Sequence, residues 1–480
     1  YGWTSHFDPA LFAQGVRSSQ YTNAPPGLIF PGDPGYPGKD VTNRRLNNFA
    51  PRVAAAFDPK GDGRMSIRAA YGIFYDLPSH NDYVGMAQSP PFGNQTTINF
   101  PVSFADPWTG IQGGNPYPLT LSKNSPFINF GSYENFLLNP RTTYSQQWNL
   151  SVQRQLGADW LVSANYVGSS IIHLWGGNQE NPGVYIPGVC GSGPCSTTAN
   201  VNTRRVLYLQ DQAKGIFYGS ISELNDGGTE SYNGLLLSLQ HRSAKGYSLL
   251  ASYNWSHCIS DLHNPELAVA GSNFMIPGNR AADRSNCPLG DRRQVFSLSG
   301  VYETPRFSGT ALRMLASGWH LSSIVRLQTG PYFTVLSGLD QALTGQTTYE
   351  RPNQVLADPY TPGKPFDHYL NKNAFAQPAL GTYGNIGENN ILVPGLIQID
   401  MGLTRTFRII ETKSLELRFE AFNLPNHLNP GPPNGLSGTG TATGSAGLIT
   451  TTVALNNPNF GRILSAYDPR IMQIAMKFVF

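Results

Sequence analysis

The side chains that could do chemistry in this chain are few and crowded. The stretch "HCISDLH" sets His257, Cys258, Ser260, Asp261 and His263 together, with Ser256 just before it. Serine, histidine and aspartate are the parts of a hydrolase triad, in which an imidazole takes a hydroxyl proton and a carboxylate orients the ring. Triads are assembled from distant positions on rigid supports, and no nucleophile elbow or oxyanion-hole motif accompanies these residues. They read as the polar start of a loop, so no catalytic residue is expected and the chain is not read as an enzyme.

Cysteine chemistry is more specific. Cys190 and Cys195 stand in "VCGSGPC", whereas Cys258 and Cys287 flank one loop. Residues at the ends of neighbouring strands can meet disulfide geometry, and in an oxidising compartment both pairs are expected to staple loops. A zinc site fits poorly, because C-x4-C has no second ligand pair nearby. The turns "PGDPGYPGKD" and "DPKGDG" contain aspartates but do not follow the EF-hand ligand order, and Pro, Asp and Gly suffice to make them turns. Neither a metal nor a cofactor is expected.

These side chains need elements to position them. Charged residues make up 13% of the chain, against roughly a quarter in an ordinary soluble domain. No apolar run approaches the roughly 18 to 20 residues of a spanning helix. The net charge of +3 gives no footing for nucleic acid. Period-2 alternation, the mark of a strand with two unlike faces, recurs throughout. In "SLELRFEAF" Leu415, Leu417, Phe419 and Ala421 oppose Glu416, Arg418 and Glu420; in "WHLSSIVRLQ" Trp319, Leu321, Val325 and Leu327 oppose His320, Arg326 and Gln328. The stretches around Ile67, Trp148, Leu237 and Ile397 repeat the pattern.

These runs extend over about ten to fourteen residues, which suits a tilted membrane strand needing about 9 to 11 to cross hydrocarbon. Aromatics such as Trp160, Tyr166, Tyr247, Trp255 and Tyr302 lie near the ends of apolar rows, where a membrane barrel places its interfacial girdles. Short links ("DPKGDG", "LGAD", "SAKG", "IIET" and the longer "TPRFSGTALRMLAS") alternate with long segments at about 76–140, 174–228, 259–288, 331–393 and 427–464. That parity matches short periplasmic turns and long extracellular loops, with the C-terminus on the periplasmic side. The fold class read from the sequence is therefore all-β: an antiparallel transmembrane β-barrel.

About eleven strands are legible, and "YGWTSHF" is a possible twelfth. Barrels of about 22 strands form plugged transporters, so the chain is expected to be the C-terminal part of one. It opens on "YGWTSHFDPA", which carries no signal-peptide pattern, and preceding strands are expected upstream. Arg68, Gln240, Arg326, Glu416, Arg418 and Glu420 would face the lumen, chiefly as a hydrogen-bonded ladder keeping the interior wet. The proline- and aromatic-rich loops are better placed for ligand contact.

Several stretches resemble Oar-like TonB-dependent receptors, a family containing a carboxypeptidase-regulatory-like domain. They are "NNFAPRVAAAFDPKGDGRMSIRAAYGIFYD", "QWNLSVQRQLGADWLVSANYVGS", "SYNGLLLSLQHRSAKGYSLLASYNWSHCISD", "DRRQVFSLSGVYETP", "LELRFEAFNLPNHLNP" and "FGRILSAYDPRIMQIAMKF". The resemblance implies an outer-membrane receptor or transporter whose full chain carries a β-sandwich and a plug ahead of the barrel. Its partners would be outer-membrane lipid, the TonB complex acting through the plug, and an unidentified bulky substrate. The last strand, with Met472, Ile474, Met476 and Phe478 in one row and Phe480 at its end, looks like the signal read by the barrel-assembly machinery as an edge strand. The direction is left open between uptake and export or anchoring, and a surface adhesion or structural barrel that binds through its loops without transport is the alternative.

Overall fold

The computed structural model describes residues 4–38, 41–76, 84–93, 103–109, 115, 121–242, 246–261, 274–287, 291–346, 349–410, 413–431 and 452–480. Eleven strands form one antiparallel meander: β1 (Arg52–Phe57), β2 (Met65–Tyr75), β3 (Tyr144–Leu156), β4 (Trp160–Gln179), β5 (Tyr218–His241), β6 (Tyr247–Ser260), β7 (Gln294–Glu303), β8 (Trp319–Gln328), β9 (Leu396–Ile410), β10 (Lys413–Phe422) and β11 (Ile471–Val479). Each pairs with its neighbours in chain order, leaving β1 and β11 as the two edges. A short strand, Gly131–Phe136, adds in parallel to the start of β5.

Registers divide this sheet into two faces. Phe57, Ile67, Val152, Ala164, Leu237, Tyr253, Phe296, Leu327 and Ile397 stand opposite one another in a single row across nine strands. One position along, on the other face, the row is Ser66, Gln153, Ser163, Ser238, Ser252, Ser297, Arg326 and Gln398. A one-residue slip anywhere would mix the two sets, so the alternation fixes the register.

Among the described residues, neither face packs against a second sheet. Phe478 is 49% exposed and Leu417 is partly exposed, whereas a sandwich would bury both between its layers. The three buried apolar clusters lie instead in the long connections and at the strand ends that enter them. Aromatics on the apolar face gather at two levels. Trp160, Tyr247, Tyr302, Trp319 and Phe407 are near the short turns, and Tyr71, Trp148, Tyr166 and Trp255 are toward the long connections.

Connections alternate strictly in length. The short ones are 58–64, 157–159, 242–246, 304–318 and 411–412; the long ones are 76–143, 180–217, 261–293, 329–395 and 423–470. The third short link falls partly, and the fifth wholly, outside the described residues. The span expected as loop from 174 to 228 is shorter than the sequence suggests, because β4 and β5 run on for 20 and 24 residues. Their ladder crosses a bulge at His173, which sits at φ 64° while Ile172 pairs with Thr229 and Leu174 with Gly228. A side chain at Gly228 would collide with Leu174, which explains the glycine. Bulges bend and re-aim strands at barrel rims, and here the burial changes from mostly half-exposed to mostly buried beyond it.

Of the possible twelfth strand, residues 1–3 lie outside the described residues, and the described part pairs with no strand of the meander. His6–Phe7 only bridges Leu28–Ile29, because Asp8 immediately caps the helix Pro9–Gln14 and Gly15 ends it in the left-handed conformation.

The two-faced sheet makes a direct test. Leu237→Arg puts a charge on the apolar row and should cost about 2–4 kcal/mol in the bilayer. Ser238→Arg, one residue on, should be nearly neutral. Heat-modifiable mobility of the folded protein, compared between the two variants, reads the difference.

Candidate functional site: the polar face and the cap

All six charged or amide residues expected on the lumen side lie on the polar face. Arg68 is opposite Ser151, Gln240 opposite Leu161 and Leu250, and Arg326 opposite Ser297 and Gln398. Glu416, Arg418 and Glu420 pair across the sheet with Lys477, Ala475 and Gln473. Arg418 donates to Glu416 at 2.8 Å and lies 3.8 Å from Glu420, while Gln473 donates to Glu420. Arg68 donates to Ser66 at 3.0 Å, and Ser163 bonds Ser238 at 2.6 Å. The face is thus a ladder of short hydrogen bonds.

At the long-connection end the loops fold onto one another as a cap. Residues 4–38 join it through Asn135, whose amide bonds both backbone groups of Phe7, and through the Tyr218 hydroxyl, which donates to Pro26 at 2.6 Å. Connection 261–293 docks on the extended strands, where the Phe274 amide donates to Gly177 at 3.0 Å and the Gly278 amide to Asn178 at 2.8 Å. Connection 423–470 adds Thr452–Ala454 in parallel to Tyr332–Leu336.

Arginines lock these pieces together. Arg351, 1% exposed, donates to Asp283 at 2.7 Å and to the carbonyls of Ile386 and Ala282 at 3.0 and 2.9 Å. Arg204 reaches across to the Leu343 carbonyl with both terminal nitrogens at 3.1 Å. Disulfides close Cys190 to Cys195 and Cys258 to Cys287, with Cα atoms 4.7 and 5.3 Å apart.

A match to an outer membrane beta-barrel domain covers residues 2–473. The chain belongs to that family. This outer-membrane barrel domain is also similar to three solved structures. They are the outer membrane transporter YddB from Escherichia coli (10% identity, 90% of this chain and 40% of that one, TM-score 0.42); the ferric enterobactin receptor PfeA from Pseudomonas aeruginosa (9%, 90% and 40%, TM-score 0.40); and the ferric-catecholate import receptor Fiu from E. coli K12 (10%, 89% and 34%, TM-score 0.37). The chain therefore spans well under half the length of each. No curated protein matches it.

Within the barrel domain, the residues that suggested a triad have structural work. Asp261 accepts from the Thr229 amide and hydroxyl at 2.8 and 3.1 Å beside the bulge. His257 contacts Asn286 at 3.3 Å, and Ser256 donates to the Arg292 carbonyl at 3.4 Å. His263 lies outside the described residues. Among the described residues one group of potential metal ligands converges, Glu230 with Cys258 and Cys287, but the two sulfurs are bonded to each other and offer no thiolate. Asp33 and Asp58 accept from nearby amides in turns, as Pro-Asp-Gly chemistry predicts.

Two cap carboxyls had no sequence signal. Burial, and then the neighbouring Asp340 carboxylate, push Glu350 up to about 8, although the Gln341 and Ala342 amides oppose this. Burial and then Glu223 likewise push Glu180 up to about 8, against a 3.0 Å donation from Asn135. Arg205, pulled down to about 10 by burial, is held up in part by Asp340.

A carboxyl raised in the folded state is protonated there while its unfolded counterpart, near 4.5, is ionised. The folded cap then binds more protons, so its stability falls as pH rises from about 4.5 to about 8 and levels off above. Exchange protection of the Gln341 and Ala342 amides, corrected for intrinsic rates, should decline over that window. Glu350→Gln should flatten the decline locally while Glu180 keeps its own.

Proposed function

We propose that this chain is wall and cap of an Oar-like, TonB-dependent receptor or transporter that takes up a bulky solute across the outer membrane, and that it is not an enzyme. The observation carrying this reading is the pair of adjacent rows, one wholly apolar across nine strands and the next polar across eight. The apolar row faces lipid, and the polar row, with Arg68, Gln240, Arg326, Glu416, Arg418 and Glu420, faces a bore. The edges β1 and β11 each have one partner among the described residues, and an open edge in hydrocarbon costs several kcal/mol per unsatisfied group. Further strands, to roughly 22, would satisfy them.

Support for assembly comes from the last strand. Met472, Ile474, Met476 and Phe478 continue the apolar face opposite Ala421, Phe419, Leu417 and Leu415, and the Phe480 ring lies 6.0 Å from that of Phe478. An edge of this kind suits strand addition by the assembly machinery. The plug and TonB complex would act through segments outside this chain, and the interlocked cap would recognise the solute.

Depletion of solutes from a defined medium tests transport. Cells carrying the intact protein should remove some large solute that cells lacking it leave behind, and a protonophore should abolish the difference. Equal depletion with reduced surface attachment in cells lacking the protein would favour adhesion and reject uptake.

A further inference from the structure

The connection between β7 and β8 contains a helix, Thr310–Ala316, whose apolar side chains are unusually bare. Leu312, Met314 and Leu315 are 58%, 66% and 74% exposed. The segment 304–318 has no acidic residue but carries Arg306 and Arg313. In water such a surface would be costly, since exposed leucine and methionine side chains forgo the hydrophobic gain of burial.

What holds the helix says what covers it. Arg405 falls on the apolar row of β9, opposite Trp319 of β8. It is 8% exposed there, stacked 4.4 Å from the Phe407 ring. Its guanidinium donates to the Leu315 and Arg313 carbonyls at 3.1 and 3.4 Å, and the Trp319 indole donates to Leu315 at 2.8 Å. These are the orphan carbonyls of a helix C-terminus, which favour a cation. The helix is therefore pinned beside the apolar wall, at the level of the short-turn aromatics, with Leu312, Met314 and Leu315 uncovered.

We propose that Thr310–Ala316 is an interfacial anchor lying in the headgroup region of the phospholipid leaflet on the short-turn side. This rests on reading the apolar face as lipid-facing. Arg306 and Arg313 would meet lipid phosphates while Leu312, Met314 and Leu315 enter the acyl boundary, the division of labour of amphipathic interfacial helices. A basic, apolar segment continuous with the lipid-facing wall favours lipid over a protein occupant.

The test places single cysteines in the intact protein, at Leu312 or Met314, with Lys60 and Leu237 as controls. The chain's own cysteines are paired and leave the label site-specific. Labelled with an environment-sensitive fluorophore, the protein is reconstituted in vesicles of phosphatidylethanolamine with a minority of phosphatidylglycerol, brominated near the headgroup end of the chains. The label at 312 or 314 should be quenched by these lipids about twofold more than that at 60, and be protected from iodide. Quenching at 237 without quenching at 312 and 314 overturns the anchor alone. Absence of quenching at 237 overturns the barrel reading beneath it. Protection at 312 from both quenchers, seen only in native membranes, identifies a protein occupant and also overturns the anchor.

Discussion

On the proposed reading the sheet stands in hydrocarbon, which offers no hydrogen-bond partner, and its regularity answers that one fact. Backbone groups in lipid must be satisfied within the structure, so the strands run as a continuous ladder with nothing inserted between neighbours. Side chains then have only two directions to point, and the alternation of apolar and polar rows follows. The exception on the apolar row of β9 is instructive. Arg405 stays there only because two helix carbonyls and two aromatic rings surround its charge.

Outside the bilayer the same chain solves the opposite problem. The long connections cannot lean on a ladder, and their backbone has water on hand, so cohesion comes from burial. Phe333, Val335 and Ile391 anchor one cluster, and Phe30, Tyr218 and Ile221 another. The chain's real hydrophobic core is thus in its loops. Buried ion pairs such as Arg351–Asp283 add less net stability than specificity of arrangement, because removing either partner strands the other charge between two connections far apart in sequence.

Legibility in the sequence tracks these two environments. Strands bathed by unlike surroundings on their two faces show period 2, so β2, β8 and β10 could be read directly, register faces included. The ends of β4 and β5 could not, since "WGGNQ" and "YGSISEL" are covered by protein on both sides and lose the alternation. Glu350, Glu180 and Arg204 acquire their character from residues brought together by folding, which spacing along the chain does not encode. Cysteines were the exception among loop residues, because covalent pairing leaves few choices. Arg405 was hidden in plain sight: it continues the 397, 399, 401, 403 series, but nothing local signals the helix that shelters it.

The hairpin around 188–195 differs from the rest of the knitted surface. Val189–Cys190 pairs only with Gly193–Pro194, the disulfide closes the loop, and Val189 is 75% exposed. Its bonds are largely with itself, so its tip can be lengthened without unpicking its neighbours. An added epitope or fluorescent reporter would find in that small covalent knuckle a graft point that leaves the remaining architecture undisturbed.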